Sequence, residues 1–144
     1  LVHPLTSVSY LRDHTLPIIE AGLKRRGLSR RDFELSHGMF VVSGATEEAF
    51  GDSRRAVRER IAFYSSTPAY RTVLESHGWG DLQPVEMGEL ISEEMLDTFA
   101  GVGEPERIVP MIRERFAGLV DRVTLDFSFA PAEARPALIR QLAG

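Results

Sequence analysis

Four consecutive apolar residues, Met39-Phe40-Val41-Val42, restrict this chain more than any other stretch of it. Side chains of a strand alternate between faces, so a strand apolar at both parities needs cover on both sides. Upstream, Phe33, Leu35, Met39 and Val41 share one parity, and His37 falls on it too. Strands buried on both faces are the habit of parallel sheets layered between helices. Ser43-Gly44 then turns the chain, and Thr46 is placed to cap a helix. That helix carries Ala49, Phe50, Val57 and Ile61 inward, with Arg54, Arg55, Arg58 and Arg60 mostly outward.

The rest of the chain continues the alternation. Leu1-Val2-His3-Pro4 reads as the remnant of a strand, ended by the proline. Thr6 or Ser7 caps a helix with Leu11, Ile18, Ile19 and Leu23 inward, interrupted at Pro17 and closed at Gly27. Around Phe63–Tyr70 one helix ends and another begins, running to about His77, where Gly78-Trp79-Gly80-Asp81 breaks it. Residues 83–88 read as a loop, and Ser92 opens a short helix. Gly101-Val102-Gly103 reads as a break, with Pro105 in the first turn of a helix that carries Ile108, Met111, Ile112 and Phe116 and stops at Gly118. Val120 to Phe129 reads as a strand with Val123, Leu125, Phe127 and Phe129 on one side, and a last helix starts near Pro131 and buries Leu138, Ile139 and Leu142. This order predicts an α/β fold with parallel strands. Two strands and a remnant leave a narrow sheet with open edges, so association of copies into a homo-oligomer is expected.

Charge and composition narrow the function. Seventeen Lys+Arg against 21 Asp+Glu give a net charge of −4, which argues against a broad nucleic-acid surface. With no cysteine, disulfides, thiol nucleophiles and Cys-ligated metals are excluded, and the chain reads as cytoplasmic. No apolar run approaches the roughly 20 residues that span a membrane, and no secretory leader opens the sequence. A start at Leu1, not Met, reads as a piece of something longer. His3, His14, His37 and His77 lack metal-pair spacing, so no metal site is expected. His37 reads as a hydrogen-bonded core residue. His3 is the histidine of interest, because ligands of α/β folds gather at the carboxyl ends of strands. Glu93-Glu94 and Glu104/Glu106 sit at helix starts, where the dipole accounts for them. The arginines Arg54, Arg55, Arg58 and Arg60, with Phe63, Tyr64 and Tyr70 nearby, read either as a small anion or nucleic-acid patch or, more simply, as a solvated helix face. A single Trp79 reads as core packing.

Two segments carry a resemblance. Ile61-Ala62-Phe63-Tyr64-Ser65-Ser66-Thr67-Pro68-Ala69-Tyr70 with Leu74-Glu75-Ser76-His77-Gly78-Trp79 resembles a segment of luciferase-like oxidoreductases of the deazaflavin-dependent (F420-type) subgroup. Ile91-Ser92-Glu93-Glu94-Met95-Leu96-Asp97 and Val102-Gly103-Glu104-Pro105-Glu106-Arg107-Ile108 resemble that group's C-terminal portion, as Leu1-Val2-His3-Pro4 resembles the end of an interior strand. Glu104 stands where the group more often has Thr, and the stretch from Leu82 to Leu90 is shorter than usual.

The resemblance implies the C-terminal part of a (β/α)8 TIM-type barrel, about strands six to eight, a fold of typically about 250 residues. Residues 1–144 would then form one partial domain, with residues 63–100 a helical insertion before the last βα segment. The implied activity is hydride transfer or monooxygenation of a small organic substrate by a flavin monooxygenase-type oxidoreductase. Its cofactor would be coenzyme F420, or FMN as the alternative, not retained by this portion alone. His3 and Thr6 after strand six, Ser43 and Gly44 after strand seven, and Phe127 and Ser128 ending strand eight are the positions expected to line the cofactor or substrate pocket. No residue matches a catalytic motif. The competing expectation is a noncatalytic partial barrel that acts as an oligomerising interaction module.

Overall fold

The central strand, β1 (Ser36–Val42), is buried on both faces and bonded on both edges. The computed structural model describes residues 1–81, 91–133, 135–136 and 139–140. Along one edge β1 pairs in parallel with β3 (Arg122–Asp126), Ser36 opposite Arg122 and Phe40 opposite Asp126. Along the other, Val2 takes the lower half and β2 (Ala100–Val102) the upper, where Phe40 faces Ala100. The hydrogen bonds fix this sharing: Val2 bonds Ser36 and Gly38, and Gly103 N–H bonds the Val42 carbonyl, all of one parity. The Leu35 carbonyl, of the other parity, takes Asp121 and Arg122 N–H on the opposite edge. The result is a small parallel sheet with helices on both sides, an α/β fold as the alternation requires. The sequence reads as a break at Gly101-Val102-Gly103, but Ala100–Val102 is a strand, too short and too rich in small residues for alternation to show, and its ladder comes from β1.

Each face has its own core. Phe40 and Val42 point into a cluster with Leu5, Val57, Ile61, Val73, Leu74, Met95, Leu96 and Phe99. Apart from Leu5, these come from α3 (Glu47–Ser65), α4 (Arg71–Ser76) and α5 (Glu93–Phe99). Leu35, Met39 and Val41 point the other way, to Leu11, Ile108, Ile112 and Phe116, the last three on α6 (Pro105–Phe116). Thr46 and Ser92 cap α3 and α5 by accepting from Ala49 and Met95 N–H (3.2 and 3.1 Å). Pro4 lies flat on the sheet because Gly38 has no side chain; a Cβ there would stand 2.8 Å from Pro4 Cγ. Phe129 departs from its expected side. Asp126 Oδ1 accepts from the Ser128 N–H at 2.9 Å, and this turn swings Phe129 across to the Phe40 cluster while Phe127 stays with Val123 and Leu125. The strand accordingly ends at Asp126. The expected loop at residues 83–88 and most of the last helix lie outside the described residues.

The N-terminal helix shows how sequence spacing is satisfied. It runs as α1 (Val8–Tyr10), a π turn over Leu11–Thr15, and α2 (Leu16–Arg25), with the Ser7 hydroxyl accepting from Tyr10 N–H at 3.1 Å. Five residues separate Leu11 from Leu16, a step that would rotate Leu16 off the apolar face of a regular α-helix. In the π turn Leu16 N–H bonds the Leu11 carbonyl instead, and Val8, Leu11, Leu16 and Ile19 all meet the sheet. Ile18, expected inward, is 71% exposed, because the phase has advanced by one residue. Pro17 stands in the first turn of α2, directly after the wide turn. Gly27, at φ +68°, closes α2, with Gly27 N–H on the Lys24 carbonyl and Leu28 N–H on the Leu23 carbonyl.

Among the described residues no strand pairs with the far edge of β3, and a groove of about 300 Å³ runs beside it, lined by Ile112, Phe116, Val120, Val123 and Leu125. The phase shift makes a direct test. Leu11→Ala should cost about 2–5 kcal/mol of unfolding free energy and Ile18→Ser less than about 0.5 kcal/mol, read from urea midpoints. Equal costs would refute the assigned phase.

Candidate functional site

An aromatic wall lies on the Phe40 face of the sheet, with residues that follow Val2 and β3 contributing to it. His3 follows Val2 directly and packs on Tyr64 and Tyr70, with ring centroids 4.4 and 4.7 Å away. Tyr64 comes from the last turn of α3, and Tyr70 from the 3-10 turn Pro68–Tyr70 that Thr67-Pro68 initiates. Phe40 at 6.3 Å stacks on Tyr64, and Phe129 meets Phe40 edge-on at 6.2 Å. One helical turn before Tyr64, Arg60 lies over three rings, 5.4 Å from Phe129, 5.8 Å from Tyr64 and 5.9 Å from Phe63.

Backbone bonds hold His3 in one state. Leu5 N–H donates to His3 Nδ1 at 3.1 Å, so the neutral ring carries its proton on Nε2, and no described residue bonds Nε2. Burial pulls His3 below its ordinary 6.5, which keeps it neutral at pH 7. Tyr70 is pushed above its ordinary 10.0 by burial and by the neighbouring Tyr64. Beneath this turn His37, 1% exposed, donates from Nε2 to the Thr6 carbonyl at 2.9 Å and packs on Phe116. It is the hydrogen-bonded core histidine the parity implied. Its buried Nδ1 meets no well-formed hydrogen-bond partner among the described residues, the Gly38 backbone lying beside the ring. Burial pulls its pKa down, against the opposing pull of the Thr6 carbonyl.

The expected pocket positions separate into groups. His3 stands in the aromatic wall, and Thr6 closes its turn by donating N–H to the His3 carbonyl at 3.0 Å. Ser43 is fully buried, its N–H on Ser53 Oγ at 3.4 Å and its own hydroxyl without a partner. Gly44 lets the chain run against the first turn of α3; a Cβ would fall 2.3 Å from Phe50 N, inside the backbone itself. Phe127 lies in the core of the opposite face, and Ser128 is exposed in the Asp126 turn. The sheet therefore does not bring Phe127 and His3 together. Tyr64, Tyr70, Arg60 and Phe129 were not among the expected positions. The spacing of Arg60 and Tyr64, four apart on a helix, was the available signal.

Other polar groups have structural roles. Arg54 and Arg58 both bond Glu93, tying α3 to α5. His77 Nε2 shares a hydrogen bond with Ser7 Oγ at 2.7 Å and its ring stacks on Trp79 at 4.5 Å, locking α4 to the cap of α1. Trp79 in turn packs edge-on against Phe99. Among the described residues no cluster of His, Asp and Glu could hold a metal ion, and no helix is long and apolar enough to cross a membrane.

An uncharacterized protein of Mycobacterium bovis and two from strains of Mycobacterium tuberculosis are each 43% identical to this chain over 144 residues. The alignments take in 92% of the chain and 42% of each relative, so the chain spans less than half the length of the curated relatives it matches. No family model and no solved structure matches it.

The buried histidine sets a pH dependence. A folded-state pKa below the unfolded value of 6.5 means that the unfolded chain takes the proton first. Stability is full above that value and drains as pH falls below it. Thermal melts between about pH 7.5 and 5 should show a falling Tm whose slope is reduced in His37→Gln, the remainder coming from His3, whose pKa burial also lowers. An unchanged slope in the variant would contradict the assignment.

Proposed function

We propose that this chain is the C-terminal portion of a luciferase-like (β/α)8 barrel, with Val2, β1 and β3 as strands six, seven and eight, in a deazaflavin- or flavin-dependent oxidoreductase acting on a small organic molecule. The observation that carries this reading is the aromatic wall, to which His3 after Val2 and Phe129 after β3 contribute from beyond the carboxyl ends of two parallel strands, the end where such barrels place their sites. The resemblance in residues 61–79 and 91–108 supports it. So does the greater length of the mycobacterial relatives, which leaves room for the remaining strands. The open edge of β3, with its apolar groove, is where a barrel's first strand and its helix would complete the sheet.

The residues fit one side of such a cofactor. A flavin or deazaflavin ring is planar, apolar on its faces and rimmed by carbonyl and ring-nitrogen acceptors, so it calls for aromatic faces with N–H and O–H donors between them. Tyr64, Tyr70 and Phe129 supply the faces, and His3 Nε2–H and the tyrosine hydroxyls supply donors. Coenzyme F420, or FMN in the second instance, would supply the hydride when bound. His3, neutral and held by Leu5 N–H, would orient an acceptor oxygen and not remove a proton. The wall, built from apolar rings, would keep water from the reacting face.

The open sheet edge also favours a second reading, a noncatalytic module that covers that edge with another copy of itself. Binding measurements on the full natural polypeptide decide between them. The oxidoreductase reading expects saturable binding of F420 or FMN, weakened by on the order of 100-fold in residues 1–144 alone, since most of the pocket would be missing. It fails if the full polypeptide binds neither cofactor, or if residues 1–144 bind one as tightly as the whole.

A further inference from the structure

We propose that Arg60 and His3 together form a receptor for an anionic group carried on a planar, apolar ligand body. Helix α3 carries four arginines, and three of them have carboxylates: Arg54 and Arg58 bond Glu93, and Arg55 bonds Asp52. Arg60 pairs with no carboxylate of the described residues and is held on the faces of Phe63, Tyr64 and Phe129 instead. A guanidinium stacked on rings keeps its N–H edges free for a bidentate acceptor and has given up its rotamer freedom in advance. His3 adds a second donor. With Nδ1 taken by Leu5 N–H, its Nε2 can only donate, and the Tyr64 ring that carries Arg60 also carries His3. No described residue offers an acceptor to either group, so among the described residues an incoming anion meets no competitor.

The surroundings specify the rest of the ligand. Phe63, 62% exposed, Tyr70 and Phe129 frame these donors with ring faces, which suit a flat apolar body and leave a bare inorganic ion poorly desolvated. The anion could be a carboxylate on the substrate or the phosphate of a cofactor. This inference deepens the reading of the same site and rests on it only for the ligand's role.

Calorimetric titration of the full natural polypeptide with benzoate, phenyl phosphate and neutral benzamide tests it. The two anions should bind at least about 10-fold tighter than benzamide, a preference abolished by Arg60→Gln and kept by Arg55→Gln, which removes the same charge from the same helix. Comparison of benzoate with benzamide on the unaltered protein stands even if a variant fails to fold. Benzoate affinity unchanged by saturating F420 assigns the receptor to the substrate; displacement assigns it to the cofactor. Equal affinity for benzoate and benzamide, or a preference that survives in folded Arg60→Gln, overturns the proposal. If neither cofactor binds while Arg60-dependent benzoate binding persists, the oxidoreductase reading falls and the receptor stands.

Discussion

Everything in this molecule is referred to one strand that has no free side. β1 is bonded to Val2 and β2 on one edge and to β3 on the other, and both of its faces are dry. Each covering element must therefore bring an apolar stripe to a surface already fixed in register, since a slip of one residue would exchange the two cores. Asp121 pins the start of that register: its carboxylate accepts Leu35 N–H at 2.7 Å and Arg30 at 2.6 Å, and the Leu35 bond foremost holds its pKa low.

What the sequence makes legible is what rests on local spacing. The two-faced run at Met39–Val42, the caps at Ser7, Thr46 and Ser92, and Pro105 in the first turn of a helix all follow from near neighbours, and the structure has each of them. The features that were illegible depend on distant partners. Ala100–Val102 is a strand only because β1 offers an edge, and Phe129 changes face because of the turn made by the Asp126 side chain three residues earlier. The aromatic wall is of the same kind. His3, Phe40, Tyr64 and Phe129 are scattered over most of the chain, and only the crossing of the strands' ends gathers them. Arg60 showed its charge and its neighbours Phe63 and Tyr64 in the sequence but not Phe129, which comes from the far end of the chain, so a solvated face was the simpler reading.

Core and candidate site are joined at one short turn. His3 faces the aromatic wall, Leu5 supplies both a core side chain and the N–H that sets the His3 tautomer, and Thr6 offers its carbonyl to His37 beneath the sheet. A disturbance at His37 thus reaches the wall through three residues of backbone. This gives a buried core histidine a bearing on the geometry of the wall without any contact with its rings.

The π turn at Leu11–Thr15 has a consequence for how the N-terminal helix comes into being. Cut from the protein, this peptide would favour an unbroken α-helix, and its greasy residues would then form two half-stripes looking in different directions. Only the sheet, by demanding that Leu11 and Leu16 face it together, makes the wider turn worth its poorer bonds. The helix is in this sense a product of its partner: its winding number is written on the surface it covers, and a helix transplanted elsewhere would wind differently.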